Sequence, residues 1–217
     1  TSQAFTPSLL STLTPAEVGA QFFMTDQRLE SDIFGVQQDA AQELGNAMAQ
    51  NIEKNLLGNF SSLTGGTVGT AGSTLTWGHF FAMLTGLRRQ NAPQPTAFVC
   101  RPEQWHALGK AVAPGSTVTN SPALQDSIVG RFYVGSVSSL DIFTSANISV
   151  DGSDDAYCAM FNPAAIALDI RRAPRIEAER DASRRGWELN LSAVYAHGVW
   201  RPKFGVKGIF DAAVPTS

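Results

Sequence analysis

Apolar residues recur three or four apart between positions 33 and 56, at Ile33, Val36, Ala40, Leu44, Ala47, Met48, Ile52 and Leu56, with Gln, Glu, Asp, Asn and Lys between them. One apolar stripe on an otherwise polar cylinder is the mark of an amphipathic helix. The spacing predicts a helix over 33–56, capped at its start by Ser31 or Asp32 and closed by Gly58 in the left-handed position that ends many helices. At 1.5 Å per residue the rod is about 36 Å long, which few small domains need. A second helix is predicted from Thr76. Trp77, Phe80, Phe81, Leu84 and Leu87 form its stripe, Arg88 and Arg89 fall in its last turn where cations suit the helix dipole, and Pro93-Gln94-Pro95 ends it.

The stretch 58–74, with Gly65-Gly66, Gly69 and Gly72, is too poor in large apolar residues to hold regular structure and reads as a loop. Beyond the second helix the period changes. Residues 96–100 read as a short buried strand, and Pro102 opens a short helix through Trp105 and Leu108, which makes an α/β unit. After a loop over 109–122, strand-like runs follow at Phe132-Tyr133-Val134, Leu140-Asp141-Ile142-Phe143, 157–161 and 166–170, broken by Gly130, Gly135, Asp151-Gly152 and Asn162-Pro163. The run 175–181 alternates, with Arg175, Glu177, Glu179 and Asp181 on one face and Ile176, Ala178 and Arg180 on the other. A strand lined with charge is no core element. Two more alternating runs, Trp187-Glu188-Leu189-Asn190-Leu191 and Val194-Tyr195-Ala196, continue the segment 186–210 as a hairpin or a long sheet. The class is α+β, with no internal repeat.

Composition changes this picture in one respect. The chain has 217 residues and is 43% apolar, enough for a packed core, but only 16% of its residues are Asp, Glu, Lys or Arg, against about 25% in an average soluble domain. So little charge favours a surface partly covered by subunit contacts over a free monomer rich in Gly, Ala, Ser and Thr. The net charge of −3 excludes a broad basic face that wraps nucleic acid. Cys100 and Cys158 sit in apolar runs without CxxC spacing and read as small core hydrophobes in a reducing compartment. No run approaches 18 apolar residues and no basic, apolar leader opens the chain, so a soluble cytoplasmic product without membrane contact is expected, and the three N-x-S sequons are chance matches. The sequence starts at Thr1 without Met, which predicts processing or a missing N-terminal part.

Candidate chemistry is sparse. The Gly-rich stretch lacks the Lys-Ser/Thr of a phosphate loop and follows a helix instead of a strand. Asp151, Asp154 and Asp155 lack the Gly and the distant Glu of a calcium loop, so a solvated turn is the better reading. Cys100 and His106 could in principle pair as nucleophile and base, but Cys100 closes an apolar strand and a buried thiol is favoured. His79 and His197 stand apart from His106, which makes no zinc site. No catalytic, cofactor-binding or metal residues are predicted, and no cofactor.

Several ordered stretches carry a resemblance. These are Leu13-Thr14-Pro15-Ala16-Glu17-Val18-Gly19, Thr25-Asp26-Gln27-Arg28-Leu29-Glu30, the long helix, and Phe98-Val99-Cys100-Arg101-Pro102-Glu103-Gln104-Trp105 with Leu108. Further on come Gly130-Arg131-Phe132 through Gly135-Ser136-Val137 with Phe143-Thr144-Ser145, then Met160-Phe161-Asn162-Pro163-Ala164-Ala165-Ile166-Ala167, and Arg175-Ile176-Glu177 to Asp181. In this order they resemble the major capsid proteins of tailed bacteriophages. The resemblance implies the Hong Kong 97-type fold. Residues 1–31 would be a remnant of the extended loop and the entry strand, 32–95 the first part of the peripheral domain with its spine helix over 33–56, 96–170 the axial domain, and 171–217 the return strands. Family members carry an N-terminal arm and most of an extended loop before the Leu13 region, and this sequence has almost none of either.

The implied function is a structural subunit, not an enzyme. It would self-assemble as pentamers and hexamers into an icosahedral virion head around double-stranded DNA held by weak non-specific contact, with portal, scaffold and decoration proteins as candidate partners and assembly in the host cytoplasm. Arg175, Glu177, Glu179 and Asp181, followed by Arg184 and Arg185, are the candidate inter-subunit contacts. The alternatives are an encapsulin-like nanocompartment shell and, in a different class, a cytoplasmic α+β hydrolase using Cys100 or a serine.

Overall fold

The computed structural model describes residues 12–31, 35–111, 136–137 and 140–215. In chain order the elements are β1 (Ala16–Thr25), α1 (Asp26–Glu30), α2 (Val36–Leu57), β2 (Thr67–Val68), α3 (Trp77–Arg89), β3 (Ala97–Cys100) and α4 (Pro102–Lys110). Then follow β4 (Ser136–Val137), β5 (Leu140–Thr144), β6 (Asp155–Phe161), β7 (Ile166–Asp181), β8 (Gly186–Val199) and β9 (Gly205–Asp211). The chain divides into two compact units, one of residues 1–56 and 168–198, the other of 57–167 and 199–217. These boundaries differ from the expected segmentation: 57–95 and 199–217 fall in the same unit as most of 96–170.

The first unit is a three-stranded sheet in the order β1-β8-β7 with α2 on one face. β1 and β8 run antiparallel in unbroken register from Ala16↔Tyr195 to Thr25↔Gly186. That register places Val18, Phe22 and Met24 beside Leu189, Leu191, Ala193 and Tyr195 on one face, and Ala40, Leu44 and Met48 of α2 pack onto them. The predicted stripe is therefore the packed one, and each fully buried Leu or Met in it contributes about 1.5–3 kcal/mol. Asn55 near the end of α2 donates to the Tyr195 hydroxyl at 2.7 Å. Position 33 of the expected helix lies outside the described residues. Gly58 is not left-handed; a 3-10 turn at Gly58–Ser62 carries the chain onward so that Phe60 is buried.

The second unit is a six-stranded mixed sheet in the order β2-β9-β6-β3-β5-β4. On one face Phe80, Met83, Leu84 and Leu87 of α3 pack against Phe98, Ile142, Met160, Val206 and Phe210. On the other, Phe60 and Leu63 pack against Val99, Ala159, Ile148 and Ala165.

Three expectations are corrected here. The Gly-rich stretch is ordered: Gly65 N–H donates to the Gly205 carbonyl (2.9 Å), Lys207 N–H to the Gly66 carbonyl (3.1 Å), and β2 lies parallel to β9. Its glycines are required by close approach. A Cβ on Gly65 would sit 2.5 Å from the Lys203 carbonyl oxygen, and one on Gly69, whose φ is +79°, would sit 2.2 Å from the Phe210 ring. Residues 186–210 are neither one hairpin nor one sheet, because β8 joins β1 while β9 joins β6 in the other sheet. Asp155 is not part of a solvated turn: it is buried at the start of β6 and accepts from Gly72 N–H at 2.6 Å. The expected strand Phe132-Tyr133-Val134 lies outside the described residues.

α4 is fastened by one fully buried side chain. Gln104 Oε1 accepts from Arg101 N–H (3.2 Å), and Gln104 Nε2 donates to the carbonyls of Ala156 (3.0 Å) and Phe210 (3.1 Å). Gln104→Leu keeps the bulk but strands two buried carbonyls and one N–H. Denaturant melts of the unassembled chain are expected to show a loss of about 2–4 kcal/mol; a loss within error would mean that α4 is held by its apolar contacts alone.

Candidate inter-subunit surface

β7 is 16 residues long and forms one edge of the three-stranded sheet. An edge strand presents a row of backbone N–H and C=O groups that no neighbouring strand of its own sheet satisfies. Pro174 lies within it, and a residue without an N–H is tolerated in a strand chiefly at an edge. Most of its side chains are exposed, including the apolar Leu168 (39% exposed), Ile170 (49%) and Ile176 (40%). Three large aliphatic side chains on one exposed strand is an apolar ridge along a backbone free to pair.

The six expected contact residues separate into two groups. Arg175 and Glu177 pair at 2.9 Å on the strand itself, both more than half exposed, and Glu179 follows them along the same exposed run. Asp181 instead organises the turn at 182–185: its Oδ1 accepts from Ser183 N–H (2.9 Å), Ser183 Oγ–H (2.5 Å) and Arg184 N–H (3.2 Å). The Ser183 hydroxyl, helped by the Arg184 N–H, holds its carboxyl below the usual aspartate range. Arg184 pairs with Glu188 at 2.8 Å, and its guanidinium stacks 4.2 Å over the Phe23 ring. Arg185 adopts a left-handed φ of 51° and its carbonyl accepts from Asp26 N–H at 2.9 Å. Asp181 and Arg184 are thus already engaged within their own subunit.

Other charges escaped the sequence reading. Arg172 of β7 pairs with Glu17 of β1, reaching over β8, and Arg180 pairs with Asp26 at 2.9 Å. Gln21 donates to Glu188 at 2.8 Å. These pairs give the first unit a polar surface rich in balanced charge. Arg180, Asp26, Leu29, Glu30 and Trp187 line a shallow open depression beside it.

The nucleophile pair considered from sequence does not form. Cys100 is fully buried, its thiol pushed well up by burial, whereas His106 is exposed on α4. An activated thiolate needs the opposite environment. Among the described residues, no three His, Cys, Asp or Glu side chains gather as metal ligands, and no helix is long and apolar enough to cross a membrane.

A family model described as phage capsid protein matches residues 10–208. The chain belongs to the phage capsid protein family. Solved structures agree on the fold of this capsid protein, which is the Hong Kong 97-like one. A chain of Mycobacterium phage Che8 matches with a TM-score of 0.72 at 20% identity, over 92% of this capsid protein and 72% of that chain. The capsid of cyanophage P-SCSP1u matches at 0.69 and 14% identity, over 98% and 81%. The holo-SrpI encapsulin complex from Synechococcus elongatus matches at 0.60 and 11%, over 94% and 75%. No curated protein sequence matches. Family membership makes the chain a virion shell component.

One carboxylate of the capsid protein yields a pH prediction. Glu103 opens α4, and hydrogen bonds from Arg101 (3.0 and 3.2 Å) lower its carboxyl below the usual glutamate range. A depressed folded-state value means that the stabilisation is complete above the unfolded glutamate range and is lost as pH falls through the folded one. Thermal melts across acidic pH should therefore fall more steeply for the native chain than for Glu103→Gln; parallel curves would remove Glu103 from the acid response.

Proposed function

We propose that copies of this chain close, as pentamers and hexamers, into an icosahedral head around double-stranded DNA. The observation that carries the reading within the fold is the β7 edge: 16 residues, most of them exposed, with Leu168, Ile170 and Ile176 open beside the Arg175, Glu177 and Glu179 run. In this reading residues 168–181 meet a second copy. Apolar side chains supply the contact energy, and the charged residues set its register. Single exposed ion pairs contribute about 0–1 kcal/mol, but one contact repeated around closed rings multiplies that term. The same reading assigns peripheral character to the α2-bearing unit and axial character to the β3–β6 region. Portal, scaffold and decoration proteins would be further partners. With a net charge of −3 the wall would touch packaged DNA weakly and without sequence preference.

A second reading, a nanocompartment around protein cargo, is favoured by the fold likeness to the SrpI encapsulin. Electron microscopy of particles purified from their source separates the two by contents: nucleic acid supports the phage head, and a protein cargo without nucleic acid supports the compartment. Strictly monomeric protein under conditions that support assembly would sink both.

Reversing charge at Glu177 and Glu179 together (E177K, E179K) tests the contact. Both residues are exposed, so the melt of the unassembled chain should move by no more than about 0.5 kcal/mol, while the yield of closed particles and their heat resistance drop. Unchanged yield would remove these residues from the interface.

A further inference from the structure

Neither the shell function nor the surface above uses the two cysteines. β3 and β6 pair antiparallel at Ala97↔Phe161, Phe98↔Met160 and Val99↔Ala159. The next position in that register sets Cys100 opposite Cys158. Both are fully buried free thiols, and both belong to the apolar cluster beneath α3 with Phe98 and Met160, so their side chains leave the sheet on the same face. They are also close enough for charge on Cys158 to act on Cys100.

The backbone decides the spacing. The Cys100 carbonyl accepts from Ser145 N–H at 3.0 Å, extending the ladder between β3 and β5. In a strand the N–H and C=O of one residue point to the same side, so those of Cys100 face β5 and turn away from β6. The pair therefore occupies a non-hydrogen-bonded position, where antiparallel Cα atoms approach to about 4.5 Å. Disulfides span Cα separations of about 4.4–6.8 Å. In the reduced protein the Cys158 thiol lies toward β9, its Sγ 2.8 Å from where a Cβ on Gly208 would stand. A turn about χ1 would bring it back toward β3.

We infer that Cys100 and Cys158 are a latent cross-strand disulfide, reduced while the subunit is made and joined when it meets a small-molecule disulfide. In the exchange one cysteine thiolate attacks the reagent disulfide and releases one reagent thiol. The second cysteine thiolate then attacks the resulting mixed disulfide and releases the other. The two cysteine protons end on the two reagent thiols, the reagent is reduced by two electrons, and the cysteine pair is oxidised by two. Burial pushes both thiols up, Cys158 to about 12, so exchange requires transient opening. On the β3–β6 side the pair stands one position beyond the last paired residues, Val99 and Ala159, where Arg101 N–H has turned from the ladder to the Gln104 side chain.

The test uses the full chain, incubated with oxidised glutathione or with reductant under mild denaturant and then returned to buffer. The proposal expects alkylation and mass spectrometry of the oxidised sample to find both thiols blocked and a Cys100–Cys158 cross-linked peptide. The melting midpoint should rise by about 5–10 °C over the reduced chain, as a long closed loop predicts. Cys100→Ala and Cys158→Ala should each abolish the rise, with reductant no longer affecting the midpoint. Free thiols after oxidation, glutathione adducts alone, or a cross-link that lowers the midpoint would each overturn it. The mass measurement is made on the native sequence, so the result does not depend on either variant folding.

Discussion

Buried or not, every backbone N–H and C=O must find a partner, and a three-stranded sheet has too few strands to provide one for its edges. β8 is satisfied on both sides by β1 and β7, but β7 offers one whole side of a 16-residue backbone outward. Water can satisfy it, at the cost of leaving a template for pairing. Soluble monomers blunt such edges with short strands, bulges or a covering loop. Here the edge is long, and its defences are a single Pro174 and a run of charge, while Leu168, Ile170 and Ile176 remain open. That combination suits the subunit contact proposed for this edge.

The rest of the first unit holds that edge straight. The α2 stripe of Ala40, Leu44 and Met48 packs on one face of the β1–β8 pair. On the charged surface, pairs such as Arg172–Glu17 and Arg180–Asp26 neutralise side chains within the subunit. Asp181 and Arg184 are spent on the turn and on Glu188 and Phe23. What remains outward on the strand is the Arg175 to Glu179 run with its aliphatic neighbours. The second unit is built differently, around a six-stranded core sealed by α3 and fastened by Gln104, with Cys100 and Cys158 in its most protected layer.

The long helix, the second helix and the β3–α4 junction were legible because each is written locally: an unbroken stripe, a cap, or a proline at the first turn. The glycine-rich stretch was misread because its order comes from backbones in close approach, Gly65 against Gly205 and Gly69 against Phe210, and no periodicity records that. The partition of β8 and β9 between sheets depends on partners far away in sequence, with Ala16 opposite Tyr195, so alternation alone could not assign it. For the surface, exposure of residues 175–181 followed from alternating charge. Which charges were already taken did not, since Arg172–Glu17 requires knowing that β8 lies between β7 and β1.

Amide hydrogen exchange along β7, compared between unassembled subunits and closed particles, bears most directly on the central claim. The account predicts that the N–H groups of 168–180 that face away from β8 exchange rapidly in the free subunit and become strongly protected in the particle, while those of β8 are protected in both. Closed particles in which β7 exchanges as fast as in the free chain would contradict it and place the subunit contacts elsewhere.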